Sequence, residues 1–153
     1  MADTYTQIYI QTVFAVQGRQ SLIRNEWRDE LFKYITGIVR NQDQKLYVIN
    51  GTPNHIHLLL SLKPTVTLSD LIRDIKANSS KFINEKRWVM GEFQWQEGFG
   101  AFSYGHSQLD SVIAYINNQD EHHRKKTFEE EYLALLKKFN IDYNEKYLFD
   151  WAE

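Results

Sequence analysis

The stretch His55-Ile56-His57-Leu58-Leu59-Leu60 carries more information about the fold than any other part of this chain. Side chains alternate between the two faces of a β-strand, so both imidazoles lie on one face and Ile56 lies on the other. Two imidazoles at this spacing can bind one metal ion. The pair taken alone is equally compatible with two structural strand histidines, so the rest of the chain must decide between these interpretations.

The composition is that of an ordinary globular protein. The chain has 153 residues, of which 42% are hydrophobic and 25% are charged, enough for one hydrophobic core. There is no cysteine, which excludes disulfides, thiolate zinc sites and thiol nucleophiles. No apolar run is long enough to span a membrane, and no secretory signal pattern is visible. We expect a cytoplasmic protein with a single domain over residues 1–153, its core at about 5–128 and a C-terminal helix and tail at 129–153.

The charge of the chain is close to balanced, with a formal net charge of −2. This argues against a protein covered in positive charge for binding duplex DNA. Basic residues are nevertheless grouped at Arg73, Lys76 and Lys81, and again at residues 124–126. A solvated helix face is the ordinary explanation of such groups, so the charge permits a nucleic-acid partner without requiring one.

The first half of the chain predicts a helix between two strands and then a hairpin. β-Branched and aromatic residues predict a strand over 6–16, and apolar residues at three- and four-residue steps predict a helix over 23–41. A second strand at 45–49 is followed by the turn residues of 50–54, Asn-Gly-Thr-Pro-Asn. The third strand covers 55–62, and the short turn predicts that these two strands are antiparallel.

A second strongly periodic helix follows Pro64. Thr67 is predicted to be its N-cap, with Asp70 completing a capping pattern. Residues 88–104 are rich in aromatic residues and glycine, and we expect a fourth strand and a loop there. Such a stretch can stack single-stranded bases, although core edges and turns are its more common use.

Two further helices are predicted at the end of the chain. Ser107 and Asp110 are expected to open a helix over residues 108–123, and residues 128–139 predict a final short helix. The first six elements then follow the order β-α-β-β-α-β of a ferredoxin-like unit. We therefore predict an α+β fold whose antiparallel sheet carries helices on one face and leaves the other face open for a ligand or an added helix.

The helix over 108–123 brings a second group of polar residues. Tyr115 and Gln119 are four residues apart and so lie on one helix face, at the edge of the apolar face that docks the helix. His122 and His123 follow about one turn later. An amphipathic helix with a tyrosine is common, so this pattern alone does not indicate catalysis.

Together these motifs resemble a known family. The histidine pair within Pro53-Asn54-His55-Ile56-His57-Leu58-Leu59 and the helix segment Lys76-Ala77-Asn78-Ser79-Ser80 resemble the HUH transposases with a single catalytic tyrosine, the insertion-sequence enzymes of the IS-two-hundred type. Residues 98–103 and the segments 115–119 and 121–124 resemble the same family. The resemblance runs from about Thr6 to Phe139, and its specificity comes from the combination of motifs.

The resemblance implies a role for each site residue. His55, His57 and Gln119 would bind a divalent cation, and Tyr115 would attack a phosphodiester of single-stranded DNA. The expected products are a 5′-phosphotyrosine and a free 3′-OH, and the fold would be ferredoxin-like with an added C-terminal helix carrying the nucleophilic tyrosine. Family members are homodimers that bind DNA hairpins at element ends, so we expect these partners here. Candidate DNA-binding residues are Arg73, Lys76, Lys81, His122, His123 and Arg124.

Elementary chemistry agrees with this division of roles. A phenol has a pKa of about 10 and is a poor nucleophile at neutral pH without help. A metal on the scissile phosphate neutralises its charge and stabilises the leaving oxygen. The reverse attack by the 3′-OH rejoins the strand without a nucleotide cofactor. Two imidazoles and an amide form a neutral ligand set that holds an ion weakly, and we expect Mg²⁺ or Mn²⁺, with Mn²⁺ binding more tightly.

The chain departs from the family at two positions, and other functions remain open. Asn54 stands where an aspartate is frequent, and Gln11 stands where a histidine is common, which affects metal affinity.

A histidine-triad nucleotide hydrolase needs a third histidine where this chain has Leu59. A domesticated repeat-associated tyrosine transposase or nickase, which binds hairpins without mobilising an element, has the same catalytic residues. A pure nucleic-acid binding module would not need them.

Overall fold

The structure of the protein, a computed structural model, describes residues 3–144. It contains a four-stranded antiparallel sheet and five α-helices within these residues, with short 3₁₀ turns at Gln17–Arg19 and His106–Gln108. The elements in chain order are β1 (Tyr9–Ala15), α1 (Asn25–Asn41), β2 (Lys45–Thr52), β3 (His55–Ser61), α2 (Leu68–Lys86), β4 (Gly100–Tyr104), α3 (Leu109–Asn117), α4 (Gln119–Lys125) and α5 (Phe128–Lys138).

The sheet has the strand order β2-β3-β1-β4, and every neighbouring pair is antiparallel. This is the split arrangement of the ferredoxin-like fold, so the predicted fold class is confirmed. In the central pair Val13 lies opposite His57 and Ala15 lies opposite His55. The two histidines therefore sit on a central strand, where backbone pairing on both sides fixes their direction.

The two faces of the sheet bury different sets of residues. Ile56 and Leu58 belong to the core that α1 and α2 form on one face. On the other face, Leu59 packs with Ile116 of α3, while Phe102 packs with Leu135 of α5. The face that the sequence pattern left open is thus covered by the C-terminal helices. Among residues 3–144 no helix is both long enough and apolar enough to cross a bilayer.

The β2–β3 hairpin is longer than predicted. β2 continues through Thr52 instead of ending at Ile49, and its last residues pair with the histidine strand. The turn consists of Pro53 and Asn54 alone. Gly51 explains how the strands stay so close, because a Cβ there would lie 2.3 Å from the backbone oxygen of His55. The predicted turn, residues 50–54, therefore begins three residues before the observed turn.

The prediction of a single helix over residues 108–123 is wrong. The chain forms a 3₁₀ turn there and then two helices that meet at Asn118. Ser107 is not the N-cap; that position belongs to Gln108, which makes no side-chain cap bond. The amide of Asn50 on β2 donates hydrogen bonds to the carbonyls of Ile116 and Asn117, at 3.0 and 3.2 Å. These bonds satisfy carbonyls at the C-terminal end of α3, so a contact from the sheet stabilises the helix end.

Two other helices begin at a threonine that caps them, one at a predicted position and one at a position that was not predicted. Thr67 accepts a hydrogen bond from the backbone of Asp70 and caps α2, as predicted. Thr127 caps α5 in the same way and forms a full capping box with Glu130. α5 thus has a well-defined start, which matters because this helix reaches the site.

Candidate active site

His55 and His57 lie on the sheet face covered by α3, α4 and α5, and both are fully buried. Their ring centroids are 5.1 Å apart, and the ring of Phe128 stacks on His55 at 4.1 Å. Ile56 points into the core on the opposite face. The alternation predicted for this strand is therefore confirmed.

Each of the two histidines is held through its Nδ1 atom. His55 Nδ1 lies 2.7 Å from the Asn54 side-chain oxygen and 2.9 Å from the Thr52 hydroxyl. His57 Nδ1 lies 2.7 Å from Gln11 Oε1, and the amide nitrogen of Gln11 donates to the Tyr104 hydroxyl at 2.8 Å. Because carbonyl oxygens only accept hydrogen bonds, both Nδ1 atoms carry the proton. In the neutral imidazoles both Nε2 atoms then present a lone pair to the same space.

The carboxylate of Glu131, on α5, fills that space. Its Oε1 lies 3.3 Å from His55 Nε2, 3.1 Å from His57 Nε2 and 3.1 Å from His123 Nε2. Its Oε2 accepts hydrogen bonds from the Tyr115 hydroxyl and, at 3.2 Å, from the amide nitrogen of Gln119. Glu131 is 5% exposed. A single buried carboxylate therefore contacts every residue predicted to form the catalytic site.

The predicted catalytic group comes together within one chain. Tyr115 and Gln119 lie on different helices, α3 and α4, yet both reach the histidine pair through Glu131. The rings of Tyr115 and His57 are 6.1 Å apart. His123, predicted as a candidate DNA-binding residue with a helper or ligand role as the alternative, also lies in this group.

Electrostatics in the site follow from burial and from this carboxylate. Burial lowers the pKa of His55 to about 4, so its imidazole is uncharged at neutral pH. Burial alone would raise the pKa of Glu131, but its close contacts with the imidazoles of His123, His55 and His57 outweigh burial and hold that pKa well below its ordinary value. An ionised carboxylate here needs a positive partner between it and the imidazoles, either a proton on Nε2 or a cation.

The Tyr115 hydroxyl is protonated in this arrangement. Burial raises its pKa above the ordinary value, and the hydrogen bond to Glu131 and the charge of Glu131 raise it further. The phenol proton is directed at Glu131 Oε2. The phenol is thus oriented but not ionised, so attack requires that its proton be transferred.

The other predicted DNA-binding residues lie elsewhere. Arg73, Lys76 and Lys81 are on α2, behind the sheet from the histidine pair. Lys76 donates to the backbone oxygens of residues 96 and 98, at 2.8 and 2.5 Å, and Arg73 pairs with Asp70 at 3.2 Å. Arg124 pairs with Glu121 at 3.4 Å on the exposed side of α4. The side chain of His122 lies outside what the structure describes.

Glu131 was not among the residues predicted to form the site. The sequence nevertheless contains a pattern that points to a buried acid at this position. Phe128, Glu131 and Leu135 follow one another at three- and four-residue steps, and all three are buried. An acid within the apolar stripe of an amphipathic helix is a candidate buried carboxylate, because such positions normally hold apolar residues.

A cavity of about 320 Å³ opens beside the nucleophile candidate. Tyr115 and Glu131 form part of its wall, so both side chains face the cavity. Three lysines also line it, at Lys125, Lys126 and Lys138. The cavity therefore joins the reactive groups to a positively charged opening.

A strand with paired histidines, facing a tyrosine on a helix, defines a class of DNA-cleaving transposases. The model of the family described as IS200-like transposases matches residues 4–119, and the chain belongs to this family. It is 21% identical over 122 residues to the ISDra2 transposase TnpA of Deinococcus radiodurans, covering 75% of this chain and 86% of that protein.

Two solved structures share the fold. One is a crystal structure of a Deinococcus radiodurans protein described as a transposase, with a TM-score of 0.61, 18% identity and coverage of 78% of this chain and 95% of that one. The other is a REP-associated tyrosine transposase bound to a REP hairpin, with a TM-score of 0.61, 16% identity and coverage of 80% and 73%. The family match ends at residue 119, so Glu131 lies beyond it.

Proposed function

We propose that this protein cleaves and rejoins single-stranded DNA through a 5′-phosphotyrosine intermediate on Tyr115, as the strand-transfer enzyme of a DNA transposition reaction. The observation that carries the proposal is the shared carboxylate. Glu131 receives the Tyr115 hydroxyl on one oxygen and faces both strand histidines with the other. The nucleophile is thereby held next to the predicted metal ligands.

The reaction is balanced without a nucleotide cofactor. The Tyr115 oxygen forms a bond to phosphorus, the bond from phosphorus to the 3′-oxygen breaks, and the leaving 3′-oxygen gains a proton. The phenol proton is lost as the bond to phosphorus forms, and Glu131 Oε2, which accepts the phenol hydrogen bond, orients the hydroxyl for attack. Attack of the 3′-OH on the phosphotyrosine reverses these bond changes and joins the strand.

The residues present fit a divalent cation. Among the described residues His55 Nε2 and Gln119 Oε1 are buried polar atoms without a hydrogen-bond partner, and His57 Nε2 is directed at the same carboxylate as His55. We propose that His55, His57 and Gln119 help to hold Mg²⁺ or Mn²⁺. When bound, the ion would neutralise the scissile phosphate and stabilise the 3′-oxygen leaving group.

We propose that DNA enters through the lysine-lined cavity beside Tyr115. Lys125, Lys126 and Lys138 lie where they can pair with phosphates next to the cleaved bond. Single-stranded DNA with hairpin ends is the proposed partner, supported by the structural relative that is bound to a REP hairpin. We also propose that the protein acts as a homodimer, as the resemblance implies.

A domesticated role is the second candidate. The likeness to a REP-associated tyrosine transposase favours a protein that binds and nicks repeated hairpins without mobilising an element. The chemistry at Tyr115 would be unchanged. Flanking hairpins at both ends of the gene would indicate a mobile element, whereas hairpins scattered through the genome would indicate the domesticated role.

A covalent adduct with DNA tests the proposal directly. The full chain is mixed with labelled single-stranded DNA from its own genomic flanks and Mn²⁺, and the adduct is resolved by denaturing electrophoresis. We expect wild-type protein to form an adduct that Tyr115→Phe abolishes and that His57→Ala reduces by at least about a hundred-fold. An adduct that survives Tyr115→Phe would show that another residue is the nucleophile.

A further inference from the structure

Glu131 is the feature that the family resemblance leaves unexplained. The family match covers residues 4–119, and the ligands that the resemblance implies are two imidazoles and the amide of Gln119. Glu131 lies on α5, beyond that range, yet it is 5% exposed and occupies the centre of the site. Burying a carboxylate is costly unless a positive partner compensates it. The fold therefore places a charge here that needs such a partner.

The hydrogen bonds around the histidines show where that partner belongs. Asn54 and Gln11 accept from the Nδ1 atoms of His55 and His57, so in the neutral imidazoles the Nε2 atoms carry lone pairs. Those lone pairs face Glu131 Oε1 at 3.3 and 3.1 Å. Three electron-rich atoms at such distances repel one another unless a positive species lies among them. The tautomers that Asn54 and Gln11 select are those of metal-ligating histidines.

The spacing of these atoms suits a metal ion. The ligand atoms of His55, His57 and Glu131 all lie within 4.8 Å of one another. Two neighbouring ligands of one octahedral ion with bonds of about 2.1 Å are separated by about 3 Å. The distances from Oε1 to the two Nε2 atoms match that separation closely.

We propose that Glu131 is an acidic ligand of the site's divalent cation, binding it through Oε1 beside His55 and His57. The role of that cation in strand cleavage rests on the proposed function, but its binding does not. A carboxylate turns a neutral ligand set into an anionic one, which raises affinity and favours oxygen-preferring ions such as Mg²⁺ and Mn²⁺. Gln119 fixes the carboxylate by donating to Oε2.

Metal binding to the full chain without DNA tests this proposal. Mn²⁺ is titrated at neutral pH and followed by the electron paramagnetic resonance of free Mn²⁺, for wild type, Glu131→Gln and Glu130→Gln. The control removes the same charge one residue earlier on the exposed side of α5, where glutamine still serves the capping box. We expect Glu131→Gln to weaken Mn²⁺ binding by more than about ten-fold, and the control to leave it unchanged.

Thermal unfolding provides a second measurement that separates binding from folding. In EDTA, wild type and Glu131→Gln should show the same far-ultraviolet circular dichroism and a cooperative transition. Added Mn²⁺ should raise the melting temperature of wild type and of Glu130→Gln, but not that of Glu131→Gln, because a ligand stabilises only a state that binds it.

A folded Glu131→Gln variant that binds Mn²⁺ as wild type does would overturn the proposal. If that variant also formed the DNA adduct faster than wild type, Glu131 would be a carboxylate that blocks the site. Failure of the proposed function looks different, since wild type would then bind Mn²⁺ through Glu131 and form no Tyr115 adduct.

Discussion

Gln11, on the neighbouring strand β1, orients the imidazole of His57. It is fully buried, and its amide bridges His57 Nδ1 and the Tyr104 hydroxyl. The bridge fixes the tautomer and the ring orientation of His57. Gln11→Leu keeps the volume similar but removes both bonds, so we expect Mn²⁺ affinity to fall by about ten-fold, measured by the same resonance titration.

The control for Gln11→Leu is Gln44→Leu. Gln44 is also buried, at 5% exposure, and it accepts a hydrogen bond from the backbone of Lys63 at the start of β2, away from the histidines. Both changes should lower the free energy of unfolding, but only Gln11→Leu should lower Mn²⁺ affinity. Equal Mn²⁺ affinity in the two variants would mean that packing against neighbouring residues orients His57 without the hydrogen bond to Gln11.

At the scale of elements, the close β2–β3 hairpin positions His55. A Cβ on Gly51 would lie 2.3 Å from the His55 oxygen and 2.9 Å from the Ile56 Cα, and these are backbone atoms that cannot rotate away. Gly51→Ala must therefore separate the strands. We expect it to lower the free energy of unfolding by about 1–3 kcal/mol and to weaken Mn²⁺ binding, because His55 moves with its strand.

Gly37→Ala is the matched control for this change. Gly37 lies inside α1, and nothing stands within 4 Å of a Cβ built there. Alanine in a helix interior is favoured over glycine by about 0.5–1 kcal/mol, so this variant should be more stable than wild type in urea unfolding, with unchanged Mn²⁺ affinity. If both alanine variants were equally stable, strand separation would not be costly.

The elements that could be predicted from sequence are those whose signals are local. The alternation around Ile56 and the cap formed by Thr67 depend on neighbours in the chain, and both are confirmed. The break at Asn118 was not predicted, and the amide of Asn50 that satisfies carbonyls at this helix end is on another element. Glu131 was not predicted either. The local pattern of α5 can indicate a buried carboxylate, but its contact with His57, 74 residues away in sequence, is visible only in the structure.

At the scale of the whole molecule, one chain supplies both halves of the site. The strand histidines and Tyr115 meet at Glu131, and α3, α4 and α5 all reach the same sheet face. Only residues 105–108 connect β4 to α3. A connection this short leaves little reach for α3 to cross to a partner's sheet. We therefore predict that the site is assembled in cis, in a monomer or within each subunit of a homodimer.

Mixed dimers of two inactive variants distinguish cis from trans assembly. Tyr115→Phe lacks the nucleophile and His57→Ala lacks a metal ligand, so each is expected to be inactive alone. The two are co-expressed with different tags, purified through both tags and mixed with labelled single-stranded DNA and Mn²⁺. In a cis arrangement no site in the mixed dimer has both residues, and no adduct should form. In a trans arrangement one site is complete, and an adduct would appear on the His57→Ala chain, identifiable by its tag. If no doubly tagged species is recovered and light scattering gives a monomeric mass, the protein is not a dimer. His57 and Tyr115 can then meet only within one chain.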